Sequence, residues 1–340
     1  MKIALVTDAW LPQVNGVVRT WGRVVEECER LGHEVLVIAP RDFRTVPLPT
    51  YSEIRIAVGA GRKVRRMLDE FAPDAVHVAT EGPLGLAARR HCLKLGWPFT
   101  TSYHTKFPEY VSARFPVPLS WGYAAVRRFH RPSSAVLVAT PTIRRELEAE
   151  GFANIADWTR GVDTDLFRPD GPKAWEGEGP LFLYVGRVAV EKNIGQFLDL
   201  DLPGTKAVVG GGPQLDELRR DHPDVLFPGP KFGEELASWY RSASVFVFPS
   251  RTDTFGLVLL ESLASGVPVA ALPVPGPLDV VGRDGPGVLD EDLGKAALEA
   301  LTIDPAVCRK HAMRFSWEAT AAIFLQNLAR IERTPPWTKP

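Results

Sequence analysis

Cysteines and long apolar runs are both scarce in this 340-residue sequence. The three cysteines, Cys28, Cys92 and Cys308, are odd in number and far apart, which favours reduced structural thiols of a cytosolic protein over a disulfide framework. No apolar run approaches the roughly 20 residues that cross a bilayer. The strand-like run from Lys2 to Thr7 is not typical of a secretory signal. These absences predict a cytoplasmic protein.

Metal and dinucleotide signatures are missing as well. The seven histidines and three cysteines have no zinc spacing. The triplet Asp163-Thr164-Asp165 spells a metal-binding D-x-D, but no other carboxylate cluster supports it, so we interpret it as structural. No G-x-G-x-x-G motif is found, which disfavours a nicotinamide dehydrogenase. We therefore expect neither a metal nor a cofactor.

Short β-rich apolar runs alternate with helical patterns along the whole chain. Such alternation is typical of βαβ units and parallel sheets, so the sequence predicts an α/β fold with two doubly wound, Rossmann-like domains. We place them at 1–168 and 181–315, with a Pro/Gly-rich linker at 169–180. The predicted strands are Ile3–Val6, Val35–Ile38, Ile54–Val58, Ala75–Val78, Phe99–Tyr103, Val136–Ala139, Leu181–Val185, Lys206–Val209, Val225–Phe227, Val245–Phe248 and Pro268–Ala271. The predicted helices include Val17–Leu31, Arg62–Phe71, Leu84–Leu95, Pro141–Glu150 and Trp317–Ile331.

Ligands of open parallel sheets bind beyond the carboxyl ends of the strands, so two such domains predict a site in the cleft between them. In the first domain, Asn15-Gly16 precedes a predicted helix, where glycine lets backbone N–H groups approach an anion. A plain helix-entry turn is the alternative. His104 ends a strand, where it is either structural or, because it faces the presumed cleft, functional.

The loops of the second half contain more residues that could bind a ligand. Arg187 and Lys192 follow a predicted strand and can clamp a pyrophosphate, although solvated surface cations are the alternative. Three glycines, Gly210-Gly211-Gly212, follow the next strand. They indicate either a tight turn or the close passage of a ligand.

The segment from Asp253 to Glu261 carries the sharpest signal. A helix is predicted to begin near Gly256, so the amides of Phe255, Gly256 and Leu257 suit ligand oxygens. Both carboxylates can accept hydrogen bonds from sugar or ribose hydroxyls. Because the surrounding helix is apolar, we expect Glu261 to be buried and to need a partner.

The stretch from Phe107 to Arg131 combines aromatic and basic side chains. Its members are Tyr110, Phe115, Trp121, Tyr123 and Phe129 with Arg114, Arg127, Arg128 and Arg131. Residues 1–165 carry 22 Lys and Arg against 18 Asp and Glu, whereas the remainder carries 18 against 23. This pattern suits an anionic membrane surface. The alternative is a core helix with a solvated charged face.

Together these loops resemble the retaining glycosyltransferases of family 4, which have the two-Rossmann GT-B architecture with the domains facing a cleft. The resemblance covers nearly the whole chain. The segments that carry it are Asn15-Gly16-Val17, His104-Thr105, Gly161-Val162-Asp163, Gly186-Arg187 with Glu191-Lys192-Asn193, and Asp253 to Glu261. The last segment is similar to the family's E-x7-E motif, with Asp in its first position.

The resemblance implies that the donor is a nucleotide-diphosphate sugar and that transfer is retaining, metal-independent and without a protein nucleophile. It implies four residues near the reacting groups, His104, Arg187, Lys192 and Asp253. It implies donor contacts from Asn15, Gly16, Val17, Gly211, Lys231, Phe232, Phe255, Gly256, Leu257 and Glu261. Arg187 and Lys192 would hold the diphosphate, Glu261 the ribose, and Lys231 with Phe232 the base. A last helix, 316–333, would cross back onto the first domain.

Within the family, the chain looks most like the branch with bacterial glycolipid synthases and mannosyltransferases. This implies transfer of a hexose or hexuronic acid to a lipid such as diacylglycerol, from UDP-glucose or UDP-glucuronate first and GDP-mannose second. The enzyme would lie on the inner face of the cell membrane, through Tyr110, Arg114, Phe115, Trp121, Arg127 and Arg128. A sugar-nucleotide epimerase and a non-catalytic lipid- or nucleotide-binding protein are the alternatives. No nucleic-acid partner is expected, and the sequence does not specify an oligomeric state.

Overall fold

The structure is a computed structural model. It describes residues 1–13, 15–48, 51–114, 117–251, 253 and 255–332, and for residues 48, 51–54, 110, 113 and 114 the backbone alone. The chain forms two compact units. The first consists of Met1–Thr159 and the segment that begins at Glu318, and the second consists of Arg160–Trp317.

The first unit contains a six-stranded parallel sheet of strand order β2-β1-β5-β6-β7-β8. Its strands are β1 (Lys2–Val6), β2 (Glu34–Ile38), β5 (Ala75–Val78), β6 (Thr100–Tyr103), β7 (Ala135–Val138) and β8 (Ile155–Asp157). Its helices are α1 (Gly16–Arg30), α2 (Gly61–Phe71), α3 (Pro83–Leu95), α4 (Phe107–Arg114), α5 (Leu119–His130) and α6 (Pro141–Ala149). The strand order reverses between β1 and β5, which is where such sheets bind ligands.

The second unit contains a five-stranded parallel sheet of order β10-β9-β11-β12-β13. Its strands are β9 (Leu181–Val185), β10 (Thr205–Val209), β11 (Val245–Phe248), β12 (Val269–Ala271) and β13 (Gly287–Leu289). Its helices are α7 (Ile194–Leu198), α8 (Leu215–Asp221), α9 (Gly233–Ser242), α10 (Leu257–Ala264), α11 (Pro275–Val280), α12 (Leu293–Ala300) and α13 (Pro305–Ala312). Here the order reverses between β9 and β11. The prediction of two doubly wound parallel sheets is confirmed.

Two predicted strands are wrong in detail. The run Ile54–Val58 belongs to an antiparallel hairpin of β3 (Thr45–Leu48) and β4 (Tyr51–Ala57), not to the parallel sheet. Its sequence alternates polar and apolar residues, as half-exposed antiparallel strands do. The run Val225–Phe227 makes one isolated bridge, between Ala207 and Leu226, because Pro228 follows directly and lacks the N–H that would extend the ladder.

The last helix, α14 (Trp317–Asn327), is shorter than the predicted Trp317–Ile331. Beyond it the chain is extended, since Arg330 bridges Ala75 and the Ile331 amide donates to the Asp74 carbonyl over 2.8 Å. The apolar residues at the end of the pattern are therefore buried against the edge of the first unit rather than along a helix.

Candidate active site

Lys192 and Asp253 meet at the reversal point of the second sheet. Lys192 follows β9 and Asp253 follows β11, and their Nζ and Oδ1 atoms lie 2.6 Å apart. The Asn193 side chain donates to the Pro249 carbonyl over 3.2 Å, which ties the two loops together. Lys192 and Asp253, 61 positions apart in the sequence, thus form an ion pair. Their side chains are 20% and 23% exposed, respectively.

Arg187 lies beside this pair on the same loop. Its Nη1 atom is 3.9 Å from Glu191 Oε1, and its carbonyl accepts a hydrogen bond from the Tyr184 hydroxyl over 2.9 Å. Burial, with the negative charges of Asp253 and Glu191, raises the pKa of Tyr184, so its hydroxyl stays protonated as a donor. The loop after β9 and the loop after β11 together therefore hold two cations and two carboxylates at the edge of a buried sheet.

Two oxygens at this edge have no hydrogen-bond partner among the described residues. They are Asp253 Oδ2 and Ser250 Oγ, and both are buried. Buried polar atoms in native proteins are nearly always hydrogen-bonded. Asp253 Oδ2 therefore keeps its capacity to accept a hydrogen bond while Oδ1 pairs with Lys192.

Glu261 lies on α10 with only 3% of its surface exposed. Its Oε2 atom accepts a hydrogen bond from the Tyr240 hydroxyl over 2.9 Å, and Tyr240 is itself fully buried. The partner expected for this carboxylate is thus a tyrosine of α9. Gly256 caps α10 with φ of 84°, a left-handed conformation that favours glycine.

Arg160 and Phe255 form a second contact beneath the same loop. The Arg160 guanidinium lies 5.9 Å from the centroid of the Phe255 ring, and burial lowers the pKa of Arg160 to about 9. A cation over an aromatic face is favourable. The contact supports Phe255, whose amide precedes that of Gly256. Nothing in the sequence indicated this contact between Arg160 and Phe255.

The three glycines after β10 separate into two kinds. A Cβ atom on Gly210 would lie 1.8 Å from the Gly186 carbonyl oxygen, and one on Gly212 would lie 2.2 Å from that of Val188. Close packing of the loops after β9 and β10 therefore explains these two. Gly211 has its nearest neighbours at 3.8 Å, on Pro230.

Lys231 and Phe232 follow that proline, at the start of α9. Lys231 Nζ lies 3.5 Å from Glu235 Oε2, and the Phe232 side chain is 63% exposed. An exposed ring beside a cation can stack on a planar group.

Asn15 acts as the N-cap of α1 in the first unit. Its Oδ1 atom accepts hydrogen bonds from the amides of Val17 and Val18, both over 3.0 Å. A Cβ atom on Gly16 would meet nothing within 4 Å. The side chain of Asn15 and the amide of Val17 are thus engaged in capping.

Asp8 lies on the loop before that cap, and sequence reasoning missed it. The carboxylate accepts from the amides of Leu84 and Gly85 at the start of α3 and from the Thr80 hydroxyl. Burial raises the pKa of Asp8. The residue joins the loops that follow the two strands at the reversal point.

His104 follows β6 and accepts a hydrogen bond at Nε2 from the Trp21 indole N–H over 2.9 Å. It is half-buried, and the indole rings of Trp21 and Trp158 approach it edge-on. A second polar contact lies on the next helix, where the Tyr123 hydroxyl donates to Glu109 over 2.6 Å. The sequence offered no signal for either pair, since neither has a recognisable spacing.

The Asp163-Thr164-Asp165 triplet has structural contacts. Asp163 Oδ1 accepts from the Leu166 amide over 3.0 Å, and Arg309 donates to the Thr164 carbonyl over 2.9 Å. In the part of the chain that the structure describes, no three His, Cys, Asp or Glu side chains are grouped to hold a metal ion.

The helix pair α4–α5 exposes a row of large apolar side chains. They are Phe107, Val111, Leu119 and, with 70% exposure, Trp121. Arg128 is exposed on α5, whereas Arg127 donates to the Glu150 carbonyl. Of the predicted membrane residues, Phe115 and the side chains of Tyr110 and Arg114 lie outside the described residues. None of the helices within the described ranges is long and apolar enough to cross a membrane.

Three curated enzymes align with most of this chain. The chain is 32% identical over 316 residues to the GDP-mannose-dependent alpha-mannosyltransferase of Mycobacterium tuberculosis, covering 85% of this chain and 83% of the relative. A protein of the same name from Corynebacterium glutamicum is 32% identical over 318 residues, 85% of this chain and 76% of the relative. The alpha-monoglucosyldiacylglycerol synthase of Streptococcus pneumoniae is 27% identical over 351 residues, 90% and 79% of the two chains.

Solved structures share the fold at lower identity. A sucrose-phosphate synthase from Thermosynechococcus elongatus has a TM-score of 0.74 at 21% identity, covering 96% of this chain and 97% of its own. HepE from Anabaena in complex with UDP-glucose has a TM-score of 0.70 at 14% identity, covering 96% and 100%. The predicted GT-B fold with two Rossmann-like domains is confirmed.

Family models cover most of both halves. The model described as Glycosyltransferase Family 4 matches residues 14–166, and the one described as Glycosyl transferases group 1 matches residues 179–302. With the long mannosyltransferase matches, these show that the chain belongs to glycosyltransferase family 4.

Proposed function

We propose that the chain transfers a hexosyl group from a nucleotide-diphosphate sugar to a membrane lipid, with retention of configuration and without a metal ion. The observation that carries this proposal is the Lys192–Asp253 ion pair beside Arg187 at the reversal point of the second sheet. Two cations at this edge match the charge of a departing diphosphate, and a neighbouring carboxylate matches sugar hydroxyls.

The main requirement of the reaction is to stabilise the departing diphosphate. As the bond between anomeric carbon and phosphate oxygen breaks, negative charge grows on the diphosphate, and Arg187 and Lys192 stabilise it electrostatically. The acceptor hydroxyl attacks the oxocarbenium-like sugar from the same face and passes its proton to the departing phosphate oxygen. No protein nucleophile takes part. Asp253 keeps Lys192 in place before the donor binds, because their atoms are already 2.6 Å apart.

The remaining residues are assigned to parts of the donor. Asp253 and the amides of Phe255, Gly256 and Leu257 take the sugar hydroxyls, and Glu261 takes the ribose. Gly211, Lys231 and Phe232 take the phosphates and the base. In the first unit, the Gly16 amide takes the diphosphate and His104 the transferred sugar. Asn15 and Val17 contribute by capping α1, which leaves Gly16 at the helix terminus with its positive dipole.

GDP-mannose is the donor that the curated relatives favour, because two long matches at 32% identity are named GDP-mannose-dependent alpha-mannosyltransferases. UDP-glucose or UDP-glucuronate is the second candidate. It is supported by the fold neighbour that holds UDP-glucose and by the glucosyldiacylglycerol synthase relative.

A lipid acceptor is supported by the same synthase and by α4–α5. Exposed Phe107, Leu119 and Trp121 stand on the unit with the excess of basic residues, and Arg128 is exposed beside them. Aromatic and basic side chains together suit the interface of an anionic bilayer. The proposal places the enzyme on the cytoplasmic face of the membrane, peripherally bound.

Acceptor-dependent release of nucleoside diphosphate tests the transfer. The protein is incubated with GDP-mannose or UDP-glucose, with and without diacylglycerol in mixed micelles, and both the released nucleoside diphosphate and the glycolipid are measured. We expect release and glycolipid to rise together only when acceptor is present. Consumption of the donor without acceptor would favour an epimerase, and binding without consumption would favour a non-catalytic protein.

A further inference from the structure

Glu81 lies on the short loop between β5 and α3, at the reversal point of the first sheet. Its Oε1 atom is 3.1 Å from Nε2 of His130, the last residue of α5. The His130 ring is fully buried. Because an ionised carboxylate can only accept hydrogen bonds, His130 Nε2 carries a proton and donates it to Glu81.

The ring of His130 is fixed by its other contacts. Its Nδ1 atom lies 2.8 Å from the hydroxyl oxygen of Thr101 on β6. The rings of Phe129 and Phe152 pack against the imidazole with centroids at 5.0 and 5.9 Å. Since the Thr101 hydroxyl can either donate to Nδ1 or accept from it, the contact at Nε2 is the same whether the ring is neutral or charged.

The loop on either side of Glu81 is held by Asp8. The Asp8 carboxylate accepts a hydrogen bond from the Thr80 hydroxyl over 2.9 Å, and a Cβ atom on Gly82 would lie 2.4 Å from the carboxyl carbon of Asp8. Both oxygens of Asp8 are occupied, by Thr80 and by the first amides of α3. Asp8 therefore holds the loop, whereas Glu81 keeps one oxygen for another partner.

The second oxygen of Glu81, Oε2, is available to a ligand. It makes no hydrogen bond with any residue that the structure describes. In the described part of the first unit, the buried side-chain oxygens without a partner belong to Tyr103 and Glu109. Oε2 is therefore open to solvent, on a side chain that is 14% exposed. A carboxylate fixed in this way binds a hydroxyl group well, because little side-chain freedom is lost on binding.

The proposed transfer limits which hydroxyl group Glu81 can bind. A hydroxyl group has one proton, and the proton of the attacking hydroxyl passes to the departing phosphate oxygen. A second hydroxyl of the acceptor must therefore donate to Glu81. Diacylglycerol has a single hydroxyl group, whereas a lipid with a sugar or another polyol as its head group has several.

We propose that Glu81 binds a non-reacting hydroxyl of the acceptor, that His130 is the positioning residue that holds this carboxylate, and that the acceptor is a lipid with a polyol head group. This inference rests on the proposed function, because it assigns the acceptor of the same reaction. The location suits a lipid, since His130 ends α5, the helix that exposes 70% of Trp121.

Transfer to two acceptors tests the head group without any variant. Diacylglycerol and monoglucosyl diacylglycerol are compared in mixed micelles, with the full-length protein and the same nucleotide sugar. We expect kcat/KM to be at least about tenfold higher for the glycosylated lipid, because it gains a charge-assisted hydrogen bond. Equal values, or a higher value for diacylglycerol, would overturn the inference.

Glu81→Gln tests the carboxylate, with Asp69→Asn as the matched control. Asp69 Oδ1 lies 2.8 Å from Nε2 of the buried His91, in a similar pair between α2 and α3. We expect Glu81→Gln to raise the KM of monoglucosyl diacylglycerol about tenfold, because a neutral amide oxygen is the weaker acceptor. The donor KM should not change, and Asp69→Asn should change neither KM. A rise in the donor KM alone would place Glu81 at the donor and contradict the assignment.

Two substitutions of His130 separate positioning from packing. In His130→Gln the side-chain amide reaches the place of Nε2 and can still donate to Glu81. In His130→Asn the shorter amide replaces Nδ1 instead, so Glu81 loses its donor. We expect the acceptor KM to rise in His130→Asn and to stay within about threefold of the wild type in His130→Gln. Equal acceptor KM values in these two variants would argue against a positioning role.

Binding of the head group alone separates this inference from the proposed function. Glucosylglycerol, a soluble form of the head group, is added to the wild type, Glu81→Gln and Asp69→Asn, and saturation-transfer NMR measures its contact with each protein. If only Glu81→Gln loses binding but no donor supports transfer, the function fails and the site stands. If transfer is found but the three proteins bind glucosylglycerol equally, or none binds it, only the inference fails.

Discussion

Lys192 offers a sharp test at the scale of single residues, because a second lysine of the same unit forms a similar pair beside β13, two strands beyond β11 and the reversal point of the sheet. Lys295 Nζ lies 2.7 Å from Asp290 Oδ2, close to the 2.6 Å of the Lys192–Asp253 pair. We expect Lys192→Met to lower kcat of transfer by about 10²-fold, since one charge on the departing diphosphate is lost. Lys295→Met should leave kcat unchanged. Similar kcat values for the two variants would remove Lys192 from the reaction.

His77 predicts a loss of stability in acid. It is fully buried, and burial, with a smaller contribution from His130, lowers its pKa to about 3. Below about pH 6.5 the unfolded chain binds a proton on this ring, and the folded chain does not until about pH 3, so acidification favours unfolding. We expect the free energy of unfolding from urea titrations to fall by about 2 kcal/mol between pH 7.5 and 5 from this group.

His77→Gln provides the control for that slope. An amide can keep hydrogen bonds with Thr100 and Ser102, which bond His77 over 2.8 and 2.6 Å, but it does not titrate. The variant should therefore lose about 2 kcal/mol less than the wild type over the same pH range, whatever its stability at pH 7.5. Parallel pH profiles would show that His77 is not the origin of the loss.

Contacts of single residues were predictable only where neighbouring residues in the sequence imply that a side chain is buried and requires a partner. The apolar neighbours of Glu261 predict its burial and a partner, but nothing in the sequence points to Tyr240, 21 positions away. The Trp21–His104 bond spans 83 positions and lies between two elements that pack only in the folded unit. Such pairs depend on tertiary placement, which a local pattern does not contain.

Elements of secondary structure were predictable where the apolar pattern and the end signals agree. Helix α6 begins at Pro141 and is followed by Gly151, as the sequence indicates. The strands β8 and β13 went unpredicted because each has only three residues and is half-buried or exposed. Edge strands take their structure from a neighbour rather than from their own sequence.

Helix α14 packs against the first unit through a buried aromatic side chain, Phe324. Its Phe324 is buried against Trp21, His77 and Trp158. Removing this ring leaves a cavity in the first unit, so we expect Phe324→Ala to lower the free energy of unfolding by about 3–5 kcal/mol. Gln326→Ala, at an exposed position on the same helix, should change it by less than about 0.5 kcal/mol. Equal effects in urea unfolding would mean that α14 does not pack through Phe324.

At the scale of the whole molecule, the two halves of the chain carry net charges of opposite sign. The first 165 residues have more basic than acidic side chains, and the remainder has more acidic ones. Attraction between the exposed Arg128 and Trp121 of α5 and an anionic bilayer then predicts binding to phosphatidylglycerol vesicles that weakens with salt.

Co-sedimentation with those vesicles measures this binding. We expect Trp121→Ser to reduce the bound fraction and Val307→Ser, which removes an exposed apolar side chain of the second unit, to leave it unchanged. Absence of wild-type binding at low salt would end the membrane proposal without touching the transfer reaction, because a soluble acceptor would remain available to the enzyme.

The identity of the nucleotide is a property of the whole protein that thermal unfolding can report. A ligand that binds only the folded chain stabilises it by about 2.7 kcal/mol at 100 times its Kd. If mannose is the transferred sugar, GDP should raise Tm more than UDP or ADP at equal concentration. The shift should shrink in Lys192→Met, because a diphosphate loses one cation, and persist in Lys295→Met. A larger shift with UDP would favour glucose or glucuronate instead. Equal shifts in the wild type and in both variants would mean that the nucleotide binds away from the loop that follows β9.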